Sequence, residues 1–392
     1  MTLQQFVENT LEDLSHAGLL RSPLTIQGPM GPTVRIDGRE VLCLCSNNYL
    51  GLANHPKLVG AIQEAVAREG VGAGSSRLVS GTLEIHRRAE NYLADFVGHQ
   101  DALMFSSGYT ANVGTVSALL TEDDIVFSDS LNHASLIDGC RLSKADVHVY
   151  HHRDMTSLES QLKALRHGGR NALVITEAVF SMDGDLAPLE DIRTLCDRYD
   201  AALMVDEAHS IGVLGPSGRG LCAARGIKAD IVLGALGKSF GMGGAFIAAS
   251  QSVLRFLINR ARSFVFSTAV PPFMAAAAIV ATDLVRAADD ERSRVLKHAT
   301  HLRDELRQLD FEVIDGTTPI IPVTMRDPVL TMQLSARLLA NGVFVQGIRP
   351  PSVPSGTSRL RIAPMATHTE QQIEKAIDAF AELRRYSSPG TV

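Results

Sequence analysis

The chain of 392 residues carries 37 lysines and arginines against 43 aspartates and glutamates, a formal net charge of −6. Hydrophobic residues make up 45% of the chain and charged residues 20%. These values exclude a disordered or collagen-like chain and indicate a globular protein of two or three domains. Because there is no surplus of positive charge, we expect no nucleic-acid partner.

The sequence predicts neither a membrane segment nor a secretion signal. Its longest apolar stretch, near Phe273–Ala281, is far shorter than the roughly 20 residues that a membrane-spanning helix needs. Residues Met1–Leu20 do not place a basic start before an apolar block. The five cysteines are irregularly spaced, which is typical of small buried side chains in a reducing cytosol. We therefore expect a cytoplasmic protein without a membrane partner, a disulfide or a metal.

Short apolar runs in the first two thirds of the chain predict buried strands, and helical patterns such as Pro188–Tyr199 lie between many of them. The predicted strands are Val41–Cys45, Ala102–Phe105, Ile125–Phe127, Val147–Tyr150, Ala172–Thr176, Ala201–Val205 and Asp230–Leu236. This alternation is typical of an open sheet with helices on both faces. We therefore predict an α/β protein with a mostly parallel, seven-stranded sheet in a large domain.

The pattern changes after about residue 285. A long charged helix is predicted over Asp289–Leu309, and a final amphipathic helix over Thr369–Arg384. The short strands predicted between them are Ile320–Met325, Val343–Val345 and Leu360–Ala363. We predict an N-terminal arm (1–45), a large domain (46–284), a small α+β C-terminal domain (285–386) and a disordered tail (387–392).

Several short motifs resemble known signatures but fail on spacing. Asp206–His209 spells the helicase DEAH box, but the segment Gly237–Ser239 that would stand for its phosphate loop lies downstream and lacks the first glycine. His152–Asp154 resembles a kinase catalytic loop without its asparagine. The pair His151–His152 has no partner at metal-ligand spacing, so we expect a solvated loop there.

Three consecutive predicted strands end in polar side chains. Glu177 follows the first of these strands, Asp206 and then His209 follow the second, and Lys238 follows the third. Because ligands of open parallel sheets lie beyond the carboxyl ends of the strands, these groups should surround one crevice. A plain salt bridge between Asp206 and Lys238 is the alternative, although lysine is rarely buried unless it is paired or functional.

A buried carboxylate and a lysine together suit pyridoxal 5′-phosphate. The lysine amine can bond to the aldehyde of this cofactor, and the carboxylate can keep its ring nitrogen protonated. A phosphate site is predicted at Ser106–Tyr109, which follows a strand and opens a helix, because backbone N–H groups at a helix N-terminus bind phosphate. An ordinary helix cap is the alternative there. His133, in the loop after Ile125–Phe127, is placed to stack on the ring.

Motifs spread over nearly the whole chain match one known family. The matching stretches are Ser46–Leu52, Gly70–Gly81, Ser107–Asn112, Asp129–Ser135, Glu177–Asp185, Asp206–Gly212 and Gly234–Gly241. From about Arg21 to His368 the chain thereby resembles the α-oxoamine synthases, within the aspartate-aminotransferase-like fold (fold type I) of pyridoxal-phosphate enzymes. The resemblance implies pyridoxal 5′-phosphate as cofactor and a homodimer with shared active sites.

The resemblance also implies which residues bind the cofactor. It assigns Lys238 to the covalent bond, Asp206 to the ring nitrogen and His133 to stacking on the ring. With His209 these would be the catalytic residues. The other cofactor-binding residues that it implies are Ser107, Gly108, Tyr109, Ser181, His209, Ser267 and Thr268, the last two reaching the phosphate of the neighbouring subunit.

Substrate-binding residues are implied in the same way. Arg361 matches the residue that grips the amino-acid carboxylate, where a planar guanidinium suits two oxygens. Arg21 and Arg349 would contact the acyl or CoA part, and Asn47 and Glu177 would lie near the bound substrate.

One position departs from the family pattern. Ala235 stands three residues before Lys238, where many members have a threonine whose hydroxyl binds the cofactor phosphate. A hydrogen bond to a charged group contributes about 1.5–3 kcal/mol. We therefore expect weaker phosphate binding unless Ser239 or water replaces that bond.

Within the family, the segment Ile348–Arg361 most resembles the members that join L-alanine to a pimeloyl thioester, with CoA or acyl carrier protein as thiol carrier, in biotin biosynthesis. The predicted reaction is a decarboxylative condensation that releases CO2 and the thiol. Three alternatives stay open: an α-oxoamine synthase that uses glycine or serine with another acyl-CoA, an aminotransferase of the same fold, and a non-catalytic binding protein. The intact set of Lys238, Asp206 and His209 argues against the last.

Overall fold

The computed structural model describes residues 1–166 and 169–387 of the chain, with side chains up to residue 384. The predicted tail, residues 387–392, lies outside the described residues except for Ser387, which ends the last helix. Two compact units are found. The small unit comprises Met1–Ser46, Met182–Gly184 and the chain from Ser293 onward. The large unit comprises Asn47–Ser181 and Asp185–Arg292.

The helices and strands alternate along most of the chain. The helices are α1 Leu3–His16, α2 Pro56–Glu69, α3 Glu84–Val97, α4 Gly108–Leu119, α5 Ala134–Ser143, α6 Met155–Leu165, α7 Leu189–Arg198, α8 Leu221–Arg225, α9 Gln251–Arg260, α10 Arg262–Val265, α11 Pro272–Arg286, α12 Asp289–Gln308, α13 Pro328–Ala340 and α14 Glu370–Ser387. The strands are β1 Ile26–Gln27, β2 Thr33–Ile36, β3 Arg39–Cys43, β4 Asp101–Phe105, β5 Ile125–Asp129, β6 Asp146–Tyr150, β7 Ala172–Glu177, β8 Ala202–Asp206, β9 Ile231–Ala235, β10 Ala245–Ala249, β11 Ile321–Arg326, β12 Val343–Phe344, β13 Gln346–Ile348 and β14 Ser358–Ile362.

The large unit is built on a seven-stranded sheet with the strand order β4-β10-β9-β8-β7-β5-β6. Its strands are parallel except that β10 runs antiparallel to both of its neighbours. This confirms the predicted mostly parallel, seven-stranded sheet. One predicted member was wrong, because the run Val41–Cys45 supplies β3, which pairs with β2 and β12 in the other unit. The strand that takes its place is β10, which the sequence reasoning missed.

Helices cover both faces of this sheet, and β10 shows how its side chains divide between them. Ile247 packs in an apolar cluster with side chains of α4 and α9. Its neighbour Phe246 packs in a second cluster with side chains of α3 and α11. Successive side chains of a strand point to opposite faces, so a strand buried on both faces is apolar throughout. The layered α/β architecture follows from that pattern.

The small unit contains two smaller sheets. One has the order β1-β2-β3-β12 and the other the order β11-β14-β13. Side chains of α12, α13 and α14, including Leu302, Leu338 and Phe380, pack with Ile321 and Leu360 in one apolar cluster. Across both described ranges, every helix is too short or too polar to cross a bilayer.

A buried carboxylate of α3 binds the glycine-rich segment after α2. Glu90 of α3 is fully buried and accepts hydrogen bonds from both terminal nitrogens of Arg77 at 2.7 and 3.0 Å. It also accepts from Arg87 at 2.7 Å and from the backbone N–H of Met104 at 3.0 Å. The charge of Arg77 and the donors around Glu90 together offset the loss of water around the carboxylate.

We expect Glu90→Gln to destabilise the protein by about 3 kcal/mol, because it leaves the buried Arg77 guanidinium without its counter-charge. The measurement is the urea midpoint of unfolding followed by circular dichroism. Glu69→Gln is the matched control, since the pair Arg68–Glu69 has an Arg68 side chain that is 60% exposed and contributes less than about 1 kcal/mol. Equal midpoints for the two variants would contradict this account.

Candidate active site

A cavity of about 300 Å³ lies in the large unit, at the carboxyl ends of β7, β8 and β9 and the N-terminus of α4. This is the edge of the sheet where the polar strand ends were predicted to meet. The residues predicted from the sequence that line the cavity are Asn47, Ser107, Gly108, Tyr109, His133, Glu177, Asp206, His209 and Lys238. The fold therefore brings together groups that are separated by up to two hundred residues in the chain.

The other predicted residues lie elsewhere. Among the described residues that line the cavity, Ser181, Ser267 and Thr268 of the same unit do not appear. Thr268 instead forms an antiparallel bridge with Ser76. The predicted substrate-binding arginines all belong to the small unit. Arg21 donates to the backbone carbonyl of Pro350 at 3.1 Å, and Arg349 donates to the backbone carbonyl of Leu20. Arg361 lies in β14.

The start of α4 presents backbone donors at the cavity. Ser107 caps this helix, because its side-chain oxygen accepts a hydrogen bond from the N–H of Thr110 at 3.2 Å. The N–H groups of Gly108 and Tyr109, in the first turn, have no carbonyl four residues earlier in the helix to bond to. Such a helix start, with its positive end of the helix dipole, favours a phosphate group.

Asp206 ends β8 and is almost completely buried. One of its carboxylate oxygens accepts from the N–H of Ala208 at 2.9 Å, and the other accepts from the side-chain amide of Asn112 at 2.7 Å. These bonds hold the carboxylate in one orientation. Asn112 lies one helical turn after Gly108 on the same face of α4, and the sequence reasoning gave it no role although it ended a matching motif.

Glu177 ends β7 and is the direct neighbour of Asp206 across the strands. Burial raises the pKa of its carboxyl well above the usual range, the charge of Asp206 adds to this rise, and Lys238 opposes it. Its Oε1 is buried without a hydrogen-bond partner among the described residues. Burial thus favours the neutral form of the Glu177 carboxyl at the wall of the cavity.

Asn132 fixes the backbone around Glu177. The sequence reasoning gave this asparagine no role. Its side-chain oxygen accepts from the N–H of Glu177 at 3.1 Å, and its amide nitrogen donates to Ser128 at 2.9 Å and to the carbonyl of Ile175 at 2.8 Å. One buried amide thus connects the loop that carries His133 to the end of β7, where Glu177 lies.

Two histidines line the cavity in different surroundings. Burial lowers the pKa of His133, and the positive charge of Lys238 lowers it further against the opposing effect of Asp206. His133 is therefore neutral near pH 7. The Nδ1 atom of His209 is hydrogen-bonded to the hydroxyl of Tyr49 at 2.8 Å, and that hydroxyl also contacts the Asn47 side chain at 3.2 Å.

The residues around the cavity fit pyridoxal 5′-phosphate. The set comprises an amine on Lys238, a carboxylate on Asp206, a neutral imidazole on His133 and the phosphate-binding start of α4. Ala235 also lines the cavity, whereas Ser239 is not among the described residues that line it. The Ser239 hydroxyl is buried without a hydrogen-bond partner among the described residues. Across the described ranges, no cluster of three or more histidine, cysteine or acidic side chains is arranged to hold a metal.

The expectation of a solvated loop at His151–His152 was wrong for His152. Its Nδ1 is bonded to Asp129 at 2.9 Å and its Nε2 to Asp185 at 2.9 Å, and its ring contacts the edge of Phe180 with the two ring centres 4.4 Å apart. Burial lowers the pKa of this imidazole, but the two carboxylates outweigh burial and raise it to about 9. His152 is thus a cation that links the end of β5 to the segment after β7.

Known proteins resemble this chain over nearly its whole length. The sequence profile of the aminotransferases of class I and II matches residues 39–380. An 8-amino-7-oxononanoate synthase of Geobacter sulfurreducens is 50% identical over 381 residues, covering 96% of this chain and 97% of that protein. The protein of the same name from Citrifermentans bemidjiense is 49% identical over 378 residues, covering 95% of this chain and 96% of its own.

A solved structure shows the same fold. Serine palmitoyltransferase from S. paucimobilis, with a bound PLP–myriocin aldimine, has a TM-score of 0.93 at 30% identity, and the match covers 98% of each chain. The likeness confirms the predicted aspartate-aminotransferase-like architecture of fold type I.

The charged His152 should make stability depend on pH. Because its pKa is raised from about 6.5 to about 9 on folding, its contribution of about 2–3 kcal/mol is complete below pH 6.5 and is lost as the pH rises through 9. We expect the urea midpoint of the natural protein to decrease as the pH is raised from 7 to 10. The midpoint of His152→Gln should be lower at pH 7 and should decrease much less over the same range.

His151→Gln is the control for that experiment, since His151 is exposed beside His152. It should keep the pH dependence of the natural protein. If His152→Gln lost stability between pH 7 and pH 10 as steeply as His151→Gln does, the protonated bridge would be wrong.

Proposed function

The chain belongs to the family of class I and II aminotransferases, in the group of the 8-amino-7-oxononanoate synthases, and we propose that it condenses L-alanine with a pimeloyl thioester. It is an acyltransferase-type enzyme that uses pyridoxal 5′-phosphate. The proposed products are 8-amino-7-oxononanoate, CO2 and the free thiol of CoA or of acyl carrier protein, in biotin biosynthesis. The observation that carries the proposal is the crevice that holds Lys238, Asp206 and His133, in a chain half identical to proteins of that name.

Pyridoxal phosphate, when bound, supplies an aldehyde that combines with amines and a ring that accepts electrons. We assign the Lys238 amine to its covalent attachment and the Asp206 carboxylate to its ring nitrogen. The N–H groups of Gly108 and Tyr109 suit its phosphate, because both residues line the cavity in the first turn of a helix. His209 and Ser181 are proposed to bind on the side of its phenolic oxygen.

The same residues then act on the substrates. With the cofactor and alanine bound, the Nζ atom of Lys238 would be the base that removes the proton from the α-carbon of alanine. The neutral imidazole of His133 donates a hydrogen bond to the thioester oxygen and so stabilises the charge that develops there. We propose that Glu177, whose buried carboxyl has a raised pKa, lies beside the bound substrate.

We propose that the arginines of the small unit bind the anionic parts of the substrates. Arg361 suits the alanine carboxylate through its planar guanidinium. Arg21 and Arg349 suit the acyl or CoA part, and they lie close enough for the charge of Arg21 to lower the pKa of Arg349, in addition to the larger effect of burial.

We also propose a homodimer that forms through residues 262–268. Phe266 is 72% exposed, with the guanidinium of Arg262 over its ring at 4.8 Å. A large exposed aromatic side chain of this kind is typical of a surface that a protein partner covers. In the dimer, Ser267 and Thr268 would reach the phosphate of the neighbouring subunit.

The substrates can be tested by measuring thiol release with L-alanine, glycine and L-serine against a panel of acyl-CoA thioesters. We expect the highest kcat/KM for L-alanine with pimeloyl-CoA. Lys238→Ala should lack both turnover and the visible absorbance of the cofactor bonded to the lysine, whereas Lys163→Ala, a change at an exposed lysine of α6, should keep both.

Other outcomes of the panel select the alternatives. Preference for glycine or serine would replace the substrate assignment, and amino transfer to an α-keto acid without thiol release would identify an aminotransferase. A purified protein that gains no visible absorbance with pyridoxal phosphate would indicate a non-catalytic relative.

Ala235→Thr should tighten the binding of pyridoxal phosphate about tenfold, because the new hydroxyl at the cavity wall can bond to the phosphate. The measurement is the dissociation constant from an absorbance titration of the cofactor-free protein. Ala235→Val is the matched control, since valine has the shape of threonine without the hydroxyl. If both variants bound the cofactor equally tightly, the hydroxyl would not be the missing contact.

A further inference from the structure

A chain of hydrogen bonds connects Asp206 to His133 through two buried side chains. The amide nitrogen of Asn112 lies 2.7 Å from a carboxylate oxygen of Asp206 and 2.9 Å from the hydroxyl oxygen of Ser135. That hydroxyl lies 2.8 Å from Nδ1 of His133. The backbone N–H of Ser135 also donates to Nδ1, at 3.2 Å. Asn112 and Ser135 are both almost completely inaccessible to solvent.

Chemistry fixes the direction of every bond in this chain. A carboxylate oxygen only accepts, so the amide nitrogen of Asn112, not its oxygen, must face Asp206. That nitrogen has two hydrogens and no acceptor capacity, so it also donates to the Ser135 hydroxyl. Nδ1 of His133 accepts the backbone N–H of Ser135 and so carries no hydrogen of its own. The Ser135 hydroxyl, whose oxygen accepts from Asn112, therefore donates its single hydrogen to Nδ1.

The orientation of Asn112 leaves an unsatisfied group. Its side-chain oxygen is buried and has no hydrogen-bond partner among the described residues. Buried polar atoms without partners are few in folded proteins and destabilise them. The interactions of the Asn112 amide are therefore the two hydrogen bonds that its nitrogen donates, to Asp206 and to Ser135.

We propose that Asn112 is a positioning residue that, through Ser135, holds His133 as the neutral imidazole with its hydrogen on Nε2. Nδ1 receives two donors, so the ring hydrogen is placed on the opposite nitrogen. The charged or titratable groups that face this ring are Asp206, Lys238 and Glu177. The hydrogen bond from Nε2 to the thioester oxygen rests on the proposed function. The assignment of the tautomer rests on the hydrogen bonds of the structure alone.

The tautomer can be read directly by nitrogen NMR of the full-length, cofactor-loaded protein labelled with ¹⁵N-histidine. Long-range ¹H–¹⁵N spectra distinguish a bare Nδ1 from a protonated one, and His133→Gln assigns the signals by their loss. We expect the natural protein to show His133 with a bare Nδ1 and a protonated Nε2. Ser135→Ala and Asn112→Leu should both shift His133 toward the form with hydrogen on Nδ1 or toward exchange between the two forms.

Asn171→Leu is the matched control, because the Asn171 amide donates to the Asp124 carboxylate at 2.9 Å where β5 begins, at the opposite end of the strands. It should leave the His133 signals unchanged. A natural protein with hydrogen on Nδ1, or a doubly protonated ring at pH 7.5, would overturn the proposal. So would unchanged His133 signals in both Ser135→Ala and Asn112→Leu.

Kinetics give a second readout that a merely structural role would not produce. With one neutral hydrogen bond lost, we expect Ser135→Ala to lower kcat by about two- to tenfold, with the KM for L-alanine unchanged. A raised KM at constant kcat would contradict a role in holding the imidazole. If the natural protein showed the expected tautomer but no thiol release with any substrate, the proposed function would fail while the assignment of Asn112 stood.

Discussion

The buried carboxylate of Asp206 is the group on which the crevice depends. Two donors, the Ala208 N–H and the Asn112 amide, hold it at the end of β8. A carboxylate removed from water stays charged only where donors or a cation compensate for lost hydration. Its negative charge in turn acts on both neighbours: it raises the pKa of Glu177 and opposes the lowering of the pKa of His133. One charge thereby shifts the pKa of two neighbouring groups.

Much of the fold could be predicted because burial on both faces leaves a simple pattern in the sequence. Apolar runs of five or six residues identified β7, β8 and β9, and polar residues directly after them identified the site. The failures have a physical reason as well. An apolar run indicates that a strand is buried but not which sheet it joins, so Val41–Cys45 was assigned to the wrong one. The strand β10 escaped notice because it is rich in alanine, which is depleted in strands.

The residues that the sequence reasoning missed in the site are those whose partners lie far away in the chain. Asn112 is 94 residues from Asp206, and Asn132 is 45 residues from Glu177. Neither lies at the end of a strand, and an asparagine within a helix or a loop is usually unremarkable in sequence. Their roles come from the side-chain amide, which has a donor nitrogen and an acceptor oxygen. Only the folded chain shows which group each of these two atoms contacts. His152 belongs with them, since its two carboxylates come from separate segments.

Two histidines near the crevice are held in opposite protonation states by their surroundings. His133 is neutral because burial and Lys238 lower its pKa, and His152 is charged because two carboxylates raise its pKa to about 9. From about pH 7 to about pH 8 His133 stays neutral, because its pKa is lowered, and His152 stays mostly charged, because its pKa is about 9. Over that range the end of β5, which Asn132 and His152 join to the segment around β7, keeps one geometry. A loss of activity that began only above that range would then arise from release of the His152 bridge and loosening of the strand ends, not from titration of the imidazole in the cavity.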